Sequence, residues 1–390
     1  MNNAAEAVFC AIRAQICGQE FHINGEVTES LLQEIYTLSR RQDIVHIVAA
    51  ELFSQKLLEQ SEVRELFKKQ QFMALYRHER MRHELQKICH VLDEAGIPYM
   101  PLKGSVMRQY YPEPWMRTSA DVDILVRPEN VDAAANALVR VLNYQNHGTD
   151  DHDIQLFAPN GVHLELHFEM VEDYRLPEAN KVLKEIWDEH AFCTKGQHYA
   201  MSDEMFYFYH IAHMAKHFQE GGCGIRFFLD MWILNHNMEY DKEKRTTLLK
   251  AGELLDFAEN AERLSEVWFG NQSHTEITKR MEQYILNGGV YGSMHNRIAT
   301  KSVSHGGKFG YAKYLLFRPI HELRRQYPIL YKHKWLYAIC QVHRWFCLIF
   351  NGGIIRAKGI LNRGVIAYEK NGDSVEQMLK DLKLGGKGKR

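Results

Sequence analysis

The reading turns on Leu102-Lys103-Gly104-Ser105, followed by Arg117 and then Asp121-Val122-Asp123-Ile124-Leu125-Val126. Residues two apart on a strand project to the same face, so Asp121 and Asp123 point together while Val122, Ile124 and Val126 turn toward a core. Two carboxylates this close repel and raise one another's pKa unless a cation lies between them. Such a pair at a strand's start suits Mg²⁺, which takes oxygen ligands and keeps positions open for phosphate oxygens. Read alone, it is also what an exposed strand end with two solvated acids would look like.

Upstream, Gly104-Ser105 follows a short apolar run and opens a helix. Backbone N–H groups at a helix start can receive an anion. Gly104, with no Cβ, lets a phosphate come close, and Ser105 either adds a hydroxyl donor or caps the helix. Together, the turn and the Asp-x-Asp strand describe a magnesium–nucleotide site. Lys103 and Arg117 could each neutralise triphosphate charge, Arg117 with a bidentate fork. The plainer alternatives are that Lys103 ends its strand in solvent and that Arg117 pairs with Asp121.

A third acid comes from Val162-His163-Leu164-Glu165-Leu166-His167-Phe168-Glu169. By period two, His163, Glu165, His167 and Glu169 share one face, opposite Val162, Leu164, Leu166 and Phe168. Glu165 is the choice for the third metal ligand and for accepting the proton of an attacking hydroxyl, with His163 and Glu169 as alternatives.

Outward from these motifs, strands are expected at Tyr99–Leu102, Val122–Val126, Ile154–Ala158 and Val162–Phe168, with helices at Ser105–Tyr111 and from Pro128 to Leu142. Pro159-Asn160-Gly161 reads as the turn of a hairpin. Residues 1–95 read as helices, with Thr28-Glu29-Ser30 as capping candidates, up to the break at Gly96-Ile97-Pro98. Residues 201–300 return to helix, including Glu204–Phe218 and, after Gly221-Gly222-Cys223-Gly224, Ile225–Asn235. The expected organisation is an N-terminal helical region (1–95), an α+β core (96–200), a helical domain (201–300) and a basic helical C-terminal region (301–390).

Composition fits a folded chain. Of 390 residues, 45% are hydrophobic and 25% charged, which excludes wholesale disorder. Seven scattered cysteines without a CxxC pair argue for free thiols in a reducing compartment. The first twenty residues lack a basic leader, and no run reaches the ~20 apolar residues of a membrane helix. The expectation is a cytoplasmic protein. Net charge of −1 hides an asymmetry: residues 301–390 carry 18 Lys and Arg against 5 acids, the first 300 carry 30 against 44. The basic end could meet an anionic partner, pair with the acidic body, or be solvated. Within it, Trp335 to Phe350, flanked by Lys332, Lys334, Arg356 and Lys358, reads as a core helix with basic ends or as a helix in peripheral contact with a membrane.

His210, His213 and His217 share a helical face, with Asp230 downstream. Their spacing is not that of HExxH zincins, so core or cleft-lining histidines are expected. A metal-dependent phosphohydrolase with Zn²⁺, Mn²⁺ or Fe on His213 and His217 is the rival enzyme class.

The order Gly104-Ser105, helix, Asp121-Val122-Asp123, acidic strand resembles the DNA polymerase beta nucleotidyltransferase superfamily. The fuller string resembles the bacterial family of uncharacterised nucleotidyltransferases, whose later acid sits directly before a Leu-His pair, as in Glu165-Leu166-His167. The resemblance is specific over about 97–170 and extends more weakly into the His-rich helix and a downstream Arg–Asp pair. The gap before Asp121 is longer than in minimal superfamily members and is read as an inserted turn around Tyr111-Pro112-Glu113-Pro114.

The resemblance implies a polymerase-beta-like α+β core, a mixed sheet with helices, flanked by helical regions. It implies two Mg²⁺ ions, or Mn²⁺, on Asp121 and Asp123, with Glu165 helping to hold the one that activates the acceptor. The Gly104-Ser105 turn would hold the β- and γ-phosphates, and an NMP group would pass from an NTP such as ATP to a hydroxyl-type acceptor, with pyrophosphate leaving. His213, Arg226 and Asp230 would line the cleft beneath a covering helix. The acceptor could be a small molecule, a sugar or glycan intermediate, or a protein side chain. A nucleic-acid partner is not expected, because the site-bearing block lacks a basic track with stacking aromatics. The competing class is a non-catalytic nucleotide-binding or interaction protein that keeps the fold; such relatives usually lose a carboxylate, and all three are present here.

Overall fold

The computed structural model describes residues 3–23, 25–150, 152–170, 176–290, 292–293, 296–297, 300–301, 307–350 and 374–384. Two compact units partition the chain: residues 1–216 with 224–278, and residues 217–223 with 279–390.

Four helices open the first unit: α1 (Asn3–Cys17), α2 (Glu29–Arg41), α3 (Val45–Ser54) and α4 (Arg64–Glu94). Thr28 caps α2, its hydroxyl accepting the Leu31 N–H at 3.3 Å, and Leu32, Ile35, Tyr36 and Leu38 form the buried stripe of an amphipathic helix. Beyond α4, Gly96 takes a left-handed φ of +65°, a conformation that costs glycine little.

The strands follow. β1 (Tyr99–Pro101), α5 (Lys103–Met107), β2 (Asp121–Val126), α6 (Val131–Leu142), β3 (Gln145–Thr149), β4 (Asp153–Phe157), β5 (His163–His167), α7 (Pro177–Lys184), β6 (Ala191–Lys195) and β7 (His198–Met201) build one sheet and its nearest helices. The sheet has seven strands in the order β3-β4-β5-β2-β1-β7-β6. β2 lies at its centre, antiparallel to β1 and parallel to β5. The β4–β5 hairpin turns at Gly161, whose φ of +80° is the conformation the Asn-Gly pair favours.

One face of the sheet is apolar. Val122, Ile124 and Val126 of β2, Ile154 and Leu156 of β4, and Leu164 and Leu166 of β5 pack with Ile88, Val91 and Leu92 of α4 and with Ala134, Ala135 and Leu138 of α6. Each large aliphatic side chain so buried stabilises the fold by about 1.5–3 kcal/mol. A one-residue slip of β2 would expose three of them and drive Asp121 and Asp123 into the core, so the register is strongly specified.

Helices α8 (Asp203–Gln219), α9 (Ile225–Asn237), α10 (Lys242–Ala251) and α11 (Leu255–Phe269) follow the sheet, α8 and α9 separated at the expected glycine-rich break. The helix α12 (Glu276–Leu286) leads into the second unit, which contains α13 (Gly307–Leu316), α14 (Ile320–Gln326), α15 (Ile329–Lys332) and α16 (Tyr337–Phe350). No helix among the described residues is long and apolar enough to cross a membrane. Arg356 and Lys358, and the terminal Gly385–Arg390 read as frayed, lie outside the described residues.

Candidate active site

The β2–β5 register sets Asp121 beside His163, Asp123 beside Glu165 and Leu125 beside His167. Paired residues on neighbouring strands share a face, so two acids from β2 converge with one acid and two histidines from β5, opposite the apolar core. Gln155 and Asp153 of β4, paired with Glu165 and His167, continue this polar face.

Lys103 meets it from the end of β1. Its Nζ lies 2.7 Å from Asp123 Oδ1 and 3.8 Å from Glu165 Oε2, so it does not end its strand in solvent. Lys103 also holds a left-handed φ of +44°, uncommon for a residue with a Cβ. His167 Nε2 bridges the same two acids, 3.1 Å from Asp123 and 3.4 Å from Glu165. Burial opposes the charge on Asp123, but Lys103 and His167 overcome it and hold the carboxyl well below the usual carboxylate range. Glu165 is also held low, first by the His167 hydrogen bond. For His167, burial is outweighed by its bonds to the two acids, and the imidazole is pushed up to about 9. Asp121 behaves differently: burial and the neighbouring Asp123 push it up to about 6.

Two overlapping donor sets result, Asp121–His163–Glu165 and Asp123–Glu165–His167, each with its atoms within 4.8 Å of one another. Glu165 belongs to both. Three carboxylates faced by one lysine and one imidazolium leave a surplus of negative charge, and their hard oxygens fit Mg²⁺ or Mn²⁺. The two imidazoles move the preference toward Mn²⁺.

The turn before the site also has a packing role. A Cβ on Gly104 would lie 2.9 Å from Ser119 Cβ, so the missing side chain makes room for the loop before β2. Arg108 locks that contact, donating to Gly104 O at 2.8 Å and to Ser119 Oγ at 2.9 Å. Ser105 does not cap α5. Leu102 occupies the cap position without a side-chain bond, and the Ser105 N–H turns back to Leu102 O at 3.1 Å.

Arg117 pairs with Asp230 and not with Asp121, its Nε 2.8 and 2.9 Å from the two carboxylate oxygens. The Tyr111 hydroxyl donates to Asp230 at 2.6 Å. Arg226 donates to Asp43 at 2.9 Å and to Thr118 O at 3.3 Å. His213 lays its ring against Phe227 and Tyr209, at 5.8 and 6.2 Å between centroids. His210 faces Phe227 O at 3.0 Å, and burial pushes its imidazole below the ordinary range.

Sequence reasoning missed three contributors: His167 as the bridge between two acids, Ser119 as the neighbour that demands a glycine, and Arg108. His167 alone had a signal, because it shares the Glu165 face of its strand.

A mixed sheet with an Asp-x-Asp strand at its centre and a third acid on the parallel neighbour defines a nucleotidyltransferase fold. The family model described as "Uncharacterised nucleotidyltransferase" matches residues 28–270, and the chain belongs to that family. No curated protein and no solved structure matches the chain.

Proposed function

We propose that this protein is a divalent-metal-dependent enzyme that moves an NMP group from an NTP to a hydroxyl-type acceptor. The observation that carries the reading is the parallel register placing Glu165 beside Asp123, which makes one face of two strands into two overlapping donor sets. Asp121, Asp123 and Glu165 would hold Mg²⁺ or Mn²⁺. The ions would neutralise phosphate charge and make the acceptor hydroxyl a better nucleophile.

The chain's own groups divide the remaining work. A cation on Asp123 and Glu165 competes with Lys103 for the same oxygens, which frees the ammonium for a phosphate. The Gly104-Ser105 turn receives the β- and γ-phosphates. Glu165, common to both donor sets, helps hold the ion that activates the acceptor and accepts the proton of its hydroxyl. Arg117, committed to Asp230, positions the loop leading into β2, and His213 lines the nucleotide cleft. The acceptor is a small molecule, a sugar or glycan intermediate, or a protein side chain. All seven cysteines are free, which suits a reducing cytoplasm.

The test is thermal stabilisation by each of the four NTPs with Mg²⁺, for wild type beside Asp121→Ala/Asp123→Ala. Ligand at 100 times its Kd adds about 2.7 kcal/mol. One NTP should stabilise wild type and leave the double variant unchanged, and pyrophosphate should then be released in the presence of acceptor. If no NTP stabilises wild type and no pyrophosphate appears across candidate acceptors, the catalytic reading fails and a non-catalytic role for the fold replaces it.

A further inference from the structure

The helix α16 is inside out for a helix in water. Two of its polar residues point inward, Gln341 and Arg344 at 3% and 8% exposed, while His343 stays exposed and pairs with the Tyr327 hydroxyl at 2.8 Å. Gln341 donates to Arg318 O at 2.6 Å, and Arg344 donates to Leu315 O and Leu316 O at 2.7 and 3.2 Å. Its apolar residues point outward. Ile339, Val342, Phe346 and Phe350 are 60%, 44%, 56% and 76% exposed, and their spacing of three, four and four residues puts them in one stripe. Trp335, 74% exposed, continues the stripe one turn ahead. Phe317, also exposed, stands edge-on against Trp345 at 5.3 Å and widens the apolar surface. The core-helix reading of this segment therefore fails for its apolar face.

Water-facing helices show the opposite pattern, and exposed large apolar side chains gathered in one stripe mark an interaction site. Charge names the partner. Residues 307–350 hold eight Lys and Arg against one acid, Glu322, and Glu322 is engaged by Arg318 at 2.9 Å. Lys332 and Lys334 are exposed next to Trp335 at the head of the stripe. Protein interfaces carry about one hydrogen bond per 100–200 Å², yet Gln341 and Arg344 spend their donors on backbone carbonyls of this unit. What remains outside is an apolar stripe with aromatic ends and flanking cations, its one imidazole, His343, already paired with the Tyr327 hydroxyl, and such a surface needs no specific hydrogen-bonding partner.

We propose that the second unit docks on an anionic lipid bilayer surface through Trp335, Ile339, Val342, Phe346 and Phe350. The helix lies in the plane of the interface, about 20 Å long, with its stripe against the acyl boundary and Lys332 and Lys334 at the headgroups. Trp335 sits at the headgroup level, where amphipathic aromatic rings concentrate.

The test is co-sedimentation of the full chain with vesicles of phosphatidylcholine alone or mixed with phosphatidylglycerol. Wild type should pellet with the mixed vesicles, far less with the neutral ones, and should be released by high salt. Ile339→Ser/Phe346→Ser and Lys332→Glu/Lys334→Glu should each lower partitioning roughly tenfold or more, with unchanged melting temperature because all four residues are exposed. As a readout independent of those variants, brominated lipid should quench wild-type fluorescence more than that of Trp335→Phe. No binding to either vesicle, equal binding to both, or quenching insensitive to Trp335→Phe would overturn the proposal. A concentration-dependent dimer that Ile339→Ser/Phe346→Ser abolishes, without vesicle binding, would assign the stripe to a second copy of the chain instead.

Discussion

The first unit holds two clusters of charge that differ in their arithmetic. Around Asp230 and Asp43, two arginines meet two acids: Arg117 grips Asp230, Arg226 reaches Asp43, and Tyr111 and Thr118 fill further acceptor sites. On the polar face of the sheet, Lys103 and His167 meet three acids, and both cations bond Asp123 and approach Glu165, while Asp121 takes part in no ion pair of that face among the described residues. A balanced cluster fastens loops to helices. A surplus of buried negative charge destabilises the resting fold and is tolerated where a cation is to be recruited.

Asp230→Asn should have the largest effect, because it leaves the Arg117 guanidinium nearly buried without its counter-charge; a loss of about 3–5 kcal/mol is expected in urea unfolding. A loss below 1 kcal/mol would mean the cluster is not the fastening it is taken to be.

Next comes His46, which belongs to the balanced side. Its Nε2 faces Met116 O at 2.8 Å, and burial, aided by nearby Arg226, outweighs that bond and Asp43 and pushes its pKa down to about 4. An unfolded histidine titrates near 6.5. Between these values the unfolded chain binds a proton that the folded chain refuses. Stability therefore rises with pH across the window and falls on acidification by roughly 3 kcal/mol. His46→Gln should flatten that slope when denaturation midpoints are compared at pH 7 and pH 5.

Asp121→Asn probes the surplus side and should act in the opposite direction. Because its pKa is pushed up to about 6, ionised Asp121 costs the metal-free fold stability at pH 7, and the amide should recover about 1–3 kcal/mol. The same variant should lose its stabilisation by Mg·NTP, so melts with and without ligand separate the two effects. The smallest change is Gly104→Ala, which forces a Cβ against Ser119 at 2.9 Å. It should cost about 1 kcal/mol, and adding Ser119→Gly should recover most of it.

Much of this architecture was legible where one strand or one turn carried its own signal. The alternation in Asp121–Val126 and Val162–Phe168 assigned strands and faces together, and Asn160-Gly161 marked the hairpin between β4 and β5. Strand β3 escaped because all five of its residues are exposed, and β6 is likewise almost wholly exposed; without burial on one face there is no alternation to read. The partner of Arg117 escaped because Asp230 lies 113 residues away and nothing local couples them. The contact of Gly104 with Ser119 escaped because Ser119 comes to it only through the tertiary turn. In α16, the apolar composition of Trp335 to Phe350 suited a core helix and a membrane-surface helix alike, because composition does not say which face turns outward.

The placement of β1 sets a clock on biosynthesis. Its residue Tyr99 pairs on one side with Val126 and on the other with His198, which leaves the ribosome 99 residues later. At about 5–20 residues per second, that is a wait of roughly 5–20 s. During it, the nascent sheet can already contain β2, β4 and β5, while one edge of β1 stands bare and open to the wrong strand. A chaperone holding the nascent chain would matter most in those seconds, and slowing translation between residues 126 and 198 should raise the misassembled fraction.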